Sequence, residues 1–92
     1  MINLMEFNKA EEMLKERGIN YERKDNAAMY LTVLFEKHQI LGNGWDFVCS
    51  TGSYGSDDGL LEYWSNNLED SGDDPIGWLT AEEVLEKIEA GI

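Results

Sequence analysis

Apolar residues recur at helical spacing near the start of the chain. Leu4, Phe7, Ala10 and Leu14 form one stripe with Met13 beside it, and Lys9, Glu12, Lys15 and Glu16 fall mostly on the opposite side. This pattern predicts a helix over residues 4–17, with Asn3 as N-cap, Glu6 reaching back in a capping box, and Ile2 against Phe7 as a hydrophobic staple. Gly18 offers a left-handed stop, after which Ile19 can fold back on Leu14. A second helix is predicted after Thr80. Thr80 and Glu83 form a capping box, Leu79 and Val84 a staple, and Ala81, Val84, Leu85 and Ile88 a buried stripe that ends at Gly91.

Between the helices the period shifts towards two. Ile19 and Tyr21 alternate with Asn20 and Glu22, which predicts a strand over 19–24 and a turn at Asp25-Asn26. The run 28–41 reads two ways. Met29, Leu31, Val33 and Phe35 alternate as in a strand, whereas Thr32, Glu36 and Gln39 fall at helical spacing between Asn26 and Gly42. The strand is preferred because Gly42-Asn43-Gly44 followed by Trp45, Phe47 and Cys49 at alternate positions reads as a hairpin. A glycine-rich loop (50–59), a short strand or helical turn (59–64) and a long polar connection (65–77) complete the chain. The expected architecture is one α+β domain over residues 1–92: N-terminal helix, three- to four-stranded antiparallel sheet, C-terminal helix.

Length and composition narrow the function classes. Ninety-two residues with 42% hydrophobic content suit one core and no more. A single cysteine, Cys49, excludes an internal disulfide and favours a reducing cytosol. The first residues lack the basic segment of a signal peptide, and no apolar run has the length of a membrane span, so a cytoplasmic location is expected.

Charge changes the picture most. Residues 1–41 carry seven acids and six bases (net −1), whereas residues 42–92 carry twelve acids and one base, Lys87 (net −11), which together make −12. An acidic surface of this kind keeps a small protein soluble, and it also suits a basic partner. Direct binding to DNA or RNA is disfavoured because phosphates are repelled.

Candidate chemistry is sparse. His38 and Cys49 could lie on neighbouring strands, but no third group is evident to orient a base, and two such ligands do not make a zinc site. The glycine loop fits neither phosphate-binding spacing, and it holds Asp57 and Asp58. Aligning Gly77 and Glu83 with a calcium loop puts only one acid, Asp74, at the first three ligand positions, the others being Gly72 and Ile76. No catalytic, cofactor or metal residues are therefore expected, and the protein should be indifferent to chelators. The remaining lead is acidic: Asp57, Asp58, Glu62, Glu69, Asp70, Asp73 and Asp74, with Glu82, Glu86 and Glu89 as a stripe on the last helix. Glu86 and Glu89 sit towards the negative end of that helix, an arrangement that folding alone does not favour. Tyr54, Tyr63, Trp64 and Trp78 lie among these acids and could anchor a partner wherever they are exposed.

The segments Ser53-Tyr-Gly-Ser-Asp-Asp-Gly-Leu-Leu-Glu-Tyr-Trp64 and Ile76-Gly-Trp-Leu-Thr-Ala-Glu-Glu-Val-Leu-Glu-Lys-Ile88 resemble small acidic proteins of phages and prophages of Gram-positive bacteria. The resemblance covers less than half the chain. It implies an inhibitor of the anti-CRISPR kind, which would occupy a basic nucleic-acid-binding partner such as a CRISPR effector nuclease by mimicking nucleic acid. An immunity-type protein that neutralises a toxin nuclease and a small virion assembly protein are the alternatives.

Overall fold

A computed structural model describes residues 2–51, 58–66 and 76–91. The chain folds as helix α1 (Met5–Glu16), strands β1 (Glu22–Tyr30), β2 (Val33–Leu41), β3 (Trp45–Ser50), β4 (Leu61–Ser65) and β5 (Ile76–Leu79), then helix α2 (Ala81–Ala90). The strands form an antiparallel meander in the order β1-β2-β3-β4-β5. The α+β class holds, with five strands rather than three or four. The additional strand, β5, lies partly in the stretch read as a polar connection.

The ends of the helices follow from local chemistry. Gly18, at φ +67, closes α1 with its amide donating to the Lys15 carbonyl (3.2 Å) and the Ile19 amide donating to the Leu14 carbonyl (3.0 Å). Both bonds belong to a Schellman stop. At the start of α1, Asn3 Oδ1 accepts the Met5 amide at 2.9 Å. Glu6 does not close a box there; its Oε1 accepts the Ala81 amide of α2 at 2.8 Å. One carboxylate of the first helix thus caps the second, where an anion also meets the positive end of the helix. Thr80 and Glu83 form the capping box on α2 itself.

The sheet departs from the sequence reading at β1. The expected turn at Asp25-Asn26 lies inside this nine-residue strand, and the chain reverses instead at Leu31-Thr32, with Tyr30 opposite Val33. Asp25 remains in the strand because Arg23 and His38 both bond its carboxylate. The ambiguous run 28–41 is therefore the end of β1, a two-residue turn and β2, with no helix.

Cross-strand register sorts the side chains. Ile40, Phe47 and Tyr63 lie in one row on the face that meets the helices, and Leu41, Asp46 and Trp64 lie in a row on the opposite face. The core unites that inner face, including Trp45, Cys49 and Leu61, with Phe7, Ala10 and Leu14 of α1 and Ala81, Val84, Leu85 and Ile88 of α2. Phe7 packs edge-on to Phe47 with ring centroids 5.6 Å apart. The Arg23 guanidinium lies 4.8 Å from the Phe7 ring centroid, and Arg23 also donates to Glu11 of α1 at 2.8 Å. Glu11 accepts a second bond, from the Tyr21 hydroxyl at 3.0 Å, so the start of β1 is clamped to α1.

Phe7 is fully buried. Truncation to alanine is expected to cost about 3–5 kcal/mol, a large share of the roughly 5–15 kcal/mol that holds a domain folded. A urea midpoint equal to that of the wild type would contradict this packing.

Candidate functional site

The row Asp25, His38, Cys49 crosses three neighbouring strands, with Asp25 paired to His38 and His38 paired to Cys49. Asp25 supplies the third group that the sequence did not reveal: its Oδ1 lies 2.7 Å from His38 Nδ1. His38 lies on the interior strand β2, and its Nε2 is buried without a hydrogen-bond partner. The thiol does not complete a nucleophilic site. Cys49 is fully buried and its Sγ donates to the Asn3 carbonyl at 3.5 Å. Burial, with a smaller contribution from Glu36, pushes the thiol pKa up to about 11. A reactive cysteine requires the opposite, an exposed and stabilised thiolate.

The carboxyl of Asp25 is held below the usual carboxylate range, first by the hydrogen bonds from Arg23 and then by His38. Among the described residues no three His, Cys, Asp or Glu side chains converge as a metal site would need. No described helix is long and apolar enough to cross a membrane. Glu83, placed in the calcium alignment above, is engaged in the α2 capping box.

The acidic set is less uniform than its sequence. Asp57, Glu69, Asp70, Asp73 and Asp74 lie outside the described residues, as does Tyr54. Asp58 is exposed, and Glu62 is half-buried opposite Val48 on the outer face of the sheet. On α2 the three glutamates do not share one environment. Glu82 pairs with Lys9 of α1, and Glu89 pairs with Arg17 Nε at 2.6 Å, leaving Glu86 exposed between them. Lys9 holds the Glu82 carboxyl below its ordinary range, and Glu82 raises the Lys9 ammonium. Two members of the stripe therefore lace the helices together. Sequence spacing placed all three on one side of α2 but could not locate the cations of α1.

Two apolar features stand out. Tyr63 is core, whereas Trp78 is 59% exposed, at φ +62 in the bulge between β4 and β5. The far end of the β1–β2 hairpin exposes Met29, Tyr30, Leu31, Val33, Leu34 and Phe35 together. The sequence signal for this cluster was present: ten residues, 26–35, without a single charge. Its alternating apolar residues predict a strand, and in the structure both faces of that stretch are exposed.

No protein-family model matches the chain, and neither a curated protein nor a solved structure matches it significantly.

Two measurements check this geometry. In native protein near pH 8, Cys49 should react with a thiol reagent roughly a hundredfold slower than in urea, because little thiolate forms; equal rates would contradict its burial. Asp25→Asn should alter the acid limb of stability. A depressed carboxyl contributes stability above its unfolded pKa and loses it as pH falls through the folded one. The variant should lose less stability than the wild type on acidification below about pH 4. At neutral pH it should be less stable by under about 1 kcal/mol, since the carboxylate is nearly half exposed. Parallel acid limbs would show that Arg23 and His38 do not act through Asp25.

Proposed function

We propose that the protein is a cytoplasmic binding protein rather than an enzyme, an inhibitor of the anti-CRISPR kind. Its acidic C-terminal half occupies the basic nucleic-acid-binding surface of a partner, and a CRISPR effector nuclease has the fitting chemistry. One observation carries this reading: a net charge of −11 gathered in residues 42–92, against −1 in residues 1–41. A face of one sign attracts an oppositely charged groove at long range and speeds encounter.

The ion pairs between the helices sharpen the reading. Lys9 and Arg17 partly neutralise Glu82 and Glu89, so the face depends more on Glu86, Asp58 and the remaining acids of the C-terminal half. Substitutions can then move binding in both directions. Lys9→Gln with Arg17→Gln uncovers two carboxylates and should strengthen binding. Asp58→Lys with Glu86→Lys should weaken it. All four side chains are exposed, and loss of the two surface ion pairs between the helices should cost little, so both variants should remain folded.

The test is capture of nucleic-acid-binding proteins from a bacterial lysate on immobilised protein, with the bound set identified by mass spectrometry. Capture should rise several-fold for the first pair and fall several-fold for the second. It should also fade towards about 0.5 M salt, as screened attraction does. Capture of the same proteins, in the same amounts, by all three forms would overturn the acidic-face reading.

A further inference from the structure

The hairpin formed by β1 and β2 continues past the core as an arm. Its register puts Met29 opposite Leu34 on the helix side of the sheet, and Ala28 opposite Phe35 and Tyr30 opposite Val33 on the other side. Both faces of the arm are thus apolar, the pattern of strands that are covered on both sides. Here all six large side chains from Met29 to Phe35 are 47–85% exposed. Sheet edges are ordinarily protected by charge, proline or a bulge. Edge strand β1 carries Glu22, Arg23, Lys24 and Asp25 beside the body, then no charge from Asn26 onwards.

The turn itself points the same way. Leu31 sits at φ +58 and is 85% exposed. A two-residue hairpin places glycine or asparagine at such a position without strain, whereas leucine is strained there. A solitary monomer gains nothing from an apolar side chain held in strain at its outermost point, and strain of this sort is retained where a contact uses it.

We propose that the arm is a homodimer contact, in which a second copy of the chain docks arm to arm about a twofold axis. Two observations select a second copy. The exposed side chains lie on both faces of the arm and at its tip, so a second copy covers apolar surface on whichever face it meets. The arm is also uncharged over ten residues in a chain of net charge −12. Two copies can meet there without bringing carboxylates together, whereas contact through residues 42–92 would set like charges against each other. A basic partner finds nothing on the arm to complement its charge, and an anionic membrane repels the body that carries it. A twofold contact is self-complementary, so one arm suffices for both sides. The inference is independent of the acidic-face reading.

Sedimentation velocity on the full chain, from about 1 to 200 µM and at low and about 0.5 M salt, tests it. The mass should move from 10.5 kDa to twice that value, and dimerisation should strengthen with salt as repulsion between the acidic bodies is screened. Met29→Thr with Leu34→Thr, a polar pair that suits opposed strand positions, should weaken dimerisation at least tenfold while leaving circular dichroism and melting of the dilute protein unchanged. Leu31→Gly, which relieves the turn, should also weaken it. A monomer at every concentration would overturn the proposal, as would a dimer indifferent to both variants. Cosedimentation of a solution monomer with phosphatidylcholine vesicles would overturn it in favour of a lipid surface.

Discussion

The Phe7 ring is held from three directions at once: edge-on by Phe47 of β3, beside the His38 ring of β2, and under the guanidinium of Arg23 on β1. It ties the helix to three strands, and the polar network around it is built to match. Arg23 reaches from Asp25 on its own strand to Glu11 on α1, and Asp25 in turn holds His38. Burial works against the charge of Arg23, but its two carboxylate partners outweigh that and raise its pKa. How far this junction extends decides which surfaces stay uncovered.

It does not extend far. Helices of twelve and ten residues span about 18 Å and about 15 Å, while strands of nine residues span about 30 Å. The helical layer covers the rows through Ile40 and His38 and leaves the distal half of the hairpin uncovered. The helices are joined by apolar stripes, by Glu6 on the Ala81 amide, and by ion pairs from Lys9 and Arg17. That last device uses acids that would otherwise contribute to the charged surface. Fold and surface thus compete for the same glutamates on α2.

Much of this was legible in the chain. The stripes of both helices, the Gly18 stop and the Thr80–Glu83 box are local patterns, and each lies where periodicity placed it. The turn of the first hairpin was misplaced because Asp25-Asn26 has the chemistry of a turn, and only the distant partners Arg23 and His38 show why it stays extended. Leu31-Thr32 lacks turn chemistry altogether, so its reversal is imposed by register rather than by local preference. The Asp25–His38 contact and the pairing of Glu82 and Glu89 are likewise tertiary. Neither follows from spacing within a single element. The acidic half was visible as composition, but its arrangement on α2 depended on cations from the opposite end of the chain.

The core ends near the Asp25–His38 row, and the arm belongs to no monomer core. Backbone amide hydrogen exchange, followed residue by residue in dilute and concentrated protein, addresses it most directly. In dilute protein the amides of Ile40, Phe47, Cys49 and Leu61 should exchange slowest, and those of residues 27–35 orders of magnitude faster. Concentration should slow the second group while leaving the first unchanged. Arm amides protected as strongly as those of β3 in dilute protein would contradict the claim, because the monomer would then already have covered them.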